Sequence, residues 1–284
     1  MTTTTGKQPA SALTQHPNKV LWEKGDFTRL AATMRNSGEK LVAQLGITPG
    51  LRILDVGCGD GTTAIPMARL KAIVTGVDIA KNLVQAGNYR ALKEGLDNIG
   101  FQEGDAADLC NMPNQHFDLV LSVFGAMFAS RPLEVAQALV RVTKLGGRIV
   151  MGNWIPGDPT LVARVLKMSS SYMPAPPPNF ESPMLWGNES KVIERFASAG
   201  VTPDQVSFSK ETYHFRFDGT PSEFANLFLT FYGPTMNALE AATAAGKGVD
   251  FRSDLEALFF SCNQSETLHQ TIIPATYLMV TIQL

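Results

Sequence analysis

The chain has 284 residues, 44% hydrophobic and 18% charged, which is the profile of an ordinary globular protein with room for one elaborated domain. Lys plus Arg (24) nearly balance Asp plus Glu (26), for a formal charge of −2. There is no basic run, so neither a nucleic acid nor an anionic membrane is expected as a partner. No apolar stretch approaches the roughly 18 residues of a spanning helix. The three scattered cysteines, Cys58, Cys110 and Cys262, fit reduced thiols in a cytoplasm and no metal site.

Residues 1–20 lack the apolar segment of a secretory signal and read as a flexible tail. The next residues, "LWEKGDFTRLAATM", start a helix, with Asp26 placed to cap it and Trp22 and Phe27 placed to pack on it. From Leu51 to Trp154, β-rich runs alternate with helical patterns. "RILDV", "IVTGVD", "IGFQEGD", "FDLVLSVF" and "RIVMGNW" read as strands. "TTAIPMARLKA", "KNLVQAGNYRALKEGL" and "LEVAQALVRVTK" read as helices, the last stopped by Gly146-Gly147. This alternation predicts βαβ units and a doubly wound, mostly parallel sheet.

The second half is less regular. Residues 155–187 are rich in proline, including Pro176-Pro177-Pro178, with a short helix expected over "TLVARVLKMSSSYM". A helix over "ESKVIERFASAG" and a strand over "VSFSKETYHFRF" follow. Residues 221–266 read as two helices split around "AAGKGVD", and "ATYLMVTIQL" reads as a closing strand. The expected organisation is therefore a tail (1–20), a cofactor-binding core with a helical cover (21–154) and completion of the sheet by 188–220 and 267–284. Residues 155–187 and 221–266 are two insertions expected to form a partly helical lid and acceptor-binding region at the carboxyl edge of the sheet.

The chemistry centres on "ILDVGCGDGTT". A phosphate-binding P-loop requires G-x-x-x-x-G-K-[ST], and no lysine is present. The dinucleotide fingerprint G-x-G-x-x-G matches in part, with Thr62 where its third glycine belongs. Asp55 and Asp60 flank the glycines with no basic residue nearby in sequence. A diphosphate there would meet two carboxylates, whereas a ligand carrying an ammonium would be favoured. Asp78, 17 residues after Gly61, ends the second strand and is suited to two ribose hydroxyls. Asp105 ends the third and is suited to an adenine amino group, beside the small Ala106.

"LDVGCGDGT", "GVD", "EGDA", "FDLVLSVFGAMF" and "KLGGRIVM", in this order, resemble the class I S-adenosylmethionine-dependent methyltransferases, and within them the UbiE-like small-molecule subgroup. "LWEKGDF" resembles a segment that precedes the core in some of these enzymes. The resemblance implies a Rossmann-like seven-stranded sheet with an antiparallel last strand, and S-adenosylmethionine as cofactor. It places Asp55, Gly57, Cys58 and Gly59 at the methionine end, Asp78 and Ile79 at the ribose, Asp105 and Ala106 at the adenine, Ser122 on the floor and Phe27 over the cofactor. "SVFG" stands where nucleic-acid and glutamine amino methylases carry "NPPY". The reaction implied is transfer of a methyl group to an O, N or C nucleophile of an apolar or aromatic small molecule. Phe124, Met127, Phe128, Trp154 and Tyr232 are candidates for the acceptor pocket. No general base stands out. His214 and Tyr232 are candidates, while His116 falls at the wrong end of the sheet. An NAD-dependent oxidoreductase and a catalytically silent methyltransferase-like subunit are the alternative readings.

Overall fold

The computed structural model describes residues 16–178 and 180–284. Most of the expected tail, residues 1–15, lies outside them. The end of that tail is structured, however. Helix α1 (Pro17–Glu23) begins before the expected boundary at residue 20, with Pro17 at a first-turn position whose N–H needs no partner. Helix α2 (Thr28–Gln44) buries Leu30, Ala31, Met34, Leu41 and Val42 along one stripe. At its start, the Asp26 carboxylate accepts the Thr28 N–H at 3.2 Å.

The core alternates as expected: β1 (Arg52–Val56), α3 (Ala64–Arg69), β2 (Ile73–Asp78), α4 (Lys81–Lys93), β3 (Ile99–Glu103), β4 (Phe117–Val123), α5 (Pro132–Val142) and β5 (Thr143–Trp154). Next come α6 (Leu161–Tyr172), α7 (Glu189–Ala197), β6 (Val206–Phe217), α8 (Pro221–Phe231), α9 (Gly233–Ala244), α10 (Gly248–Cys262) and β7 (Thr271–Gln283). The seven strands form one sheet in the order β3-β2-β1-β4-β5-β7-β6. Strands β3 to β5 pair in parallel, and β7 runs antiparallel between β5 and β6. The Rossmann-like sheet with an antiparallel last strand is thus the fold. Ile53, Leu54, Leu119, Val120, Leu121 and Ile149 are fully buried, as parallel strands covered on both faces must be.

Two element boundaries differ from the sequence reading. Helix α5 ends at Val142, and β5 starts at once at Thr143. Thr143 pairs with Phe117, after which the register slips before Leu119 meets Arg148. Gly146-Gly147 therefore serve a bulge in a strand and do not stop a helix. The Gly146 N–H donates to the Leu284 carbonyl at 2.7 Å. Segment 221–266 holds three helices, because the chain breaks again at Tyr232-Gly233-Pro234. Pro234 has no N–H to give. Gly233 lies so close to α1 that an added carbon would sit 2.5 Å from the Leu21 carbonyl oxygen.

Candidate active site

The turn after β1 is built from glycines because its backbone is left-handed three times, with φ of 69° at Gly57, 56° at Gly59 and 88° at Gly61. Its amides are spent internally. Gly57 and Cys58 N–H both donate to the Val77 carbonyl, at 2.7 and 3.1 Å, and Gly61 N–H donates to the Cys58 carbonyl. Gly59 N–H donates to an Asp78 carboxylate oxygen at 2.8 Å. A phosphate cradle needs such donors free, and these four are not.

A cavity lies over the carboxyl ends of β1 to β4 under α1 and α2. Eight of the ten predicted cofactor residues line it: Phe27, Gly57, Cys58, Gly59, Asp78, Ile79, Asp105 and Ala106. Asp78 holds the turn together, since its second oxygen accepts the Ala80 N–H at 2.9 Å. Asp105 accepts the Ala107 N–H at 2.9 Å and pairs with Arg131 at 3.2 Å. Asp78 at the end of β2 and Asp105 just beyond β3 thus face one space.

Several predicted residues stand elsewhere. Asp55 is 1% exposed and lies beneath the turn, where it accepts the Thr63 hydroxyl at 2.6 Å. Burial pushes its carboxyl up to about 7, against the lowering effect of the Thr63 bond. It supports the turn from below and is not part of the cavity wall. Ser122 is likewise internal. Its hydroxyl donates to the Val56 carbonyl at 2.7 Å and accepts the Ala126 N–H at 2.9 Å, tying the end of β1 to the turn after β4. Of the acceptor-pocket candidates, Phe124 and Phe128 line the cavity, whereas Met127 is in the core. Trp154 lies behind Phe124, stacked on it at 3.6 Å and 8°. Tyr232 is buried behind the wall against Trp22 and Phe27, at 6.0 and 6.2 Å. His214 is displaced by strand alternation: Tyr213 faces the cavity, so its neighbour faces away. The His214 backbone N–H and carbonyl are both held by the Ser37 hydroxyl at 2.9 Å. Neither catalytic candidate therefore reaches the cavity.

The charge reading also needs correction. Asp60 pairs with Arg35 at 2.8 Å and Arg90 at 3.3 Å. Basic groups do adjoin the turn, from α2 and α4, and sequence distance hid them. It is the committed amides of the turn, not uncompensated carboxylates, that disfavour a phosphate there. The sequence reading also missed Tyr213, Met34 and Asn18 as wall residues, and the approach of His16 to Asp105 at 3.7 Å. Only the i, i+3 spacing of Ala31 and Met34 on α2 hinted at any of them.

The "Methyltransferase domain" family model matches residues 54–151. An uncharacterised protein of Mycobacterium tuberculosis is 34% identical over 239 residues, 83% of each chain. The chain belongs to the class I S-adenosylmethionine-dependent methyltransferases. The oxidoreductase alternative is set aside by that membership. The 27-O-demethylrifamycin SV methyltransferase of Amycolatopsis mediterranei is 32% identical over 136 residues, 47% of this chain and 49% of that one. Among solved structures, the YcgJ protein of Bacillus subtilis shares the fold with a TM-score of 0.56 at 19% identity, covering 87% of this chain and 98% of its own. When bound, S-adenosylmethionine supplies this methyltransferase with an electrophilic methyl group on a sulfonium. The cavity wall includes Phe27, Phe124 and Phe128, aromatic side chains of the kind that can exclude water and present π faces to positive charge.

Proposed function

We propose that this methyltransferase acts on an uncharged apolar or aromatic small molecule, methylated at an O, N or C nucleophile by in-line displacement. One observation carries this reading. Beyond the glycine turn the cavity is walled by Trp22, Phe27, Ala31, Met34, Phe124 and Phe128. The carboxylates on its wall, Asp60, Asp78 and Asp105, all have partners. A charged acceptor would be stripped of water with nothing to replace it. The rifamycin-related relative, whose name gives a small-molecule acceptor, supports the same class, as does the UbiE-like order of motifs. With neither His214 nor Tyr232 at the cavity, rate comes from alignment of nucleophile and methyl group in a dry site. In this reading the segments 155–187 and 221–266 act from behind: α8 and α9 brace α1 and α2, which do the covering. The free cysteines, among them the exposed Cys110, suit a cytoplasmic setting.

The test is release of S-adenosylhomocysteine across a panel of flat phenols, hydrophobic amines and charged acceptors such as glycine and phosphoethanolamine. Turnover is expected with neutral apolar acceptors. Turnover confined to the charged ones would overturn the reading.

A further inference from the structure

The phenol of Tyr213 is a polar group that the scheme above leaves unused. The residue is 2% exposed and lines the cavity from β6. Its ring is fixed edge-on against Phe124 at 5.2 Å and beside Tyr277 at 6.1 Å. Its hydroxyl makes no hydrogen bond among the described residues and is open to the cavity, so it is available to a ligand there.

Where the hydroxyl lies tells which part of the ligand it meets. A carbon built on Gly38 would be 3.0 Å from the Tyr213 Oη and 2.7 Å from the Thr62 Cγ2. The hydroxyl, α2 and the far side of the glycine turn therefore converge at one point. Asp105 and Asp78 close β3 and β2 on the other flank of β1. A cofactor whose nucleoside sits over those acids, and which crosses the glycine turn, ends toward β4 and Tyr213. The part left for Tyr213 is the amino-acid end. Arg35 precedes Gly38 by three residues on the same face of α2 and neutralises Asp60 at 2.8 Å, so Asp60 does not repel an anion brought there. Burial pushes the phenol up from its ordinary range, so at neutral pH it is a hydrogen-bond donor and not an anion.

We propose that Tyr213 donates a hydrogen bond to the carboxylate of the cofactor's amino-acid end. A strand-six residue thereby completes a seat otherwise built from β1 to β3. The proposal rests on the cavity being the cofactor site, and the experiment separates the two claims. Calorimetry on the full chain is run with S-adenosylhomocysteine and with 5′-methylthioadenosine, which lacks the amino-acid carboxylate. Wild type is expected to bind both, and binding of neither would overturn the site itself. In Tyr213→Phe, S-adenosylhomocysteine is expected to weaken about tenfold or more, as for loss of a hydrogen bond to a charged group. Binding of 5′-methylthioadenosine is expected to stay within about twofold of wild type. Equal loss for both ligands, or loss for neither, would overturn the role. Tyr277→Phe, which alters the adjoining ring outside the cavity wall, is expected to change neither. If Tyr213→Phe lowers the melting temperature, the ratio of the two affinities still reads the carboxylate bond, because a general loosening weakens both.

Discussion

At Asp55, desolvation outweighs a good hydrogen bond. The carboxyl is held at about 7, against an ordinary 3.8. Below about pH 4 both folded and unfolded chains carry the proton. Between about 4 and 7 the unfolded chain has lost it while the folded chain keeps it, so stability falls as pH rises, and above 7 the loss is complete. At about 1.4 kcal/mol per unit the ceiling is about 4 kcal/mol. Asp55→Asn cannot ionise and can still accept from Thr63. The advantage in melting temperature of Asp55→Asn over wild type should therefore widen from pH 5 to pH 8, and a constant difference would refute the account. Gly57 permits a second prediction at this scale. An added carbon would lie 2.5 Å from the Gly125 Cα at a φ of 69°, so Gly57→Ala should lose S-adenosylhomocysteine binding by calorimetry and melt several degrees lower. The convergence of Asp78, Asp105 and the glycines on one cavity was legible in the sequence because strand, turn and acid follow one another within a few residues. Tyr213 and Arg35 were not, because each reaches the turn from an element whose packing no local pattern encodes. Asp55 misled for a related reason: alternation decides which way a strand's last side chains point, and the motif alone does not say which acid ends up underneath.

Among the elements, α1 depends most plainly on its neighbours. It has seven residues and none is buried, far below the length at which an isolated helix persists. Its neighbours hold it in place. The Asn18 amide donates to the Phe128 carbonyl at 2.7 Å, Lys19 pairs with Glu103 at 2.7 Å, and Glu23 accepts the Lys81 N–H at 2.9 Å. The pairs are partly exposed and individually weak, but they span β3, α4 and the turn after β4, so α1 acts as a strap over the cavity. Removal of residues 1–24 should leave the far-ultraviolet spectrum nearly unchanged and speed S-adenosylhomocysteine dissociation in stopped flow by about tenfold or more, the order of one to two hydrogen bonds. An unchanged rate would show that α1 is ornament. The helical strap escaped the sequence reading because its seven residues carry too little periodicity to separate it from a tail. Strand β6 was plain from its alternation over twelve residues, whereas β7 was read only from Ala275 although it starts at Thr271. The break at Tyr232 was masked because the apolar pattern runs on through it, although Gly233-Pro234 marks it locally.

For the whole molecule, cofactor binding and folding are one equilibrium. A ligand that binds only the folded chain adds RT ln(1 + [L]/Kd), about 2.7 kcal/mol at one hundred times its Kd, or roughly 5 °C of melting temperature for a chain of this size. S-adenosylhomocysteine should produce that shift and NAD should not, and equal shifts would show that the turn does accept a diphosphate. The sheet order was legible as a class because alternating strands and helices admit few topologies. The placement of the cover was not, because the helical insertions were long enough to suggest a lid while the cavity's described wall residues come from elsewhere. The back-to-back contact of Gly57 and Gly125, where either added carbon meets backbone at 2.5 Å, has a consequence for how such an enzyme diversifies. In the proposed arrangement the seat of the methyl donor and the rim of the acceptor site are fused there, so no side chain can be grown at either position to reshape one without damaging the other. New acceptor preferences would then arise on α1 and α2, whose wall residues are free of the shared turn. Descendants of this sequence that have changed acceptor should retain both glycines and differ most in those two elements.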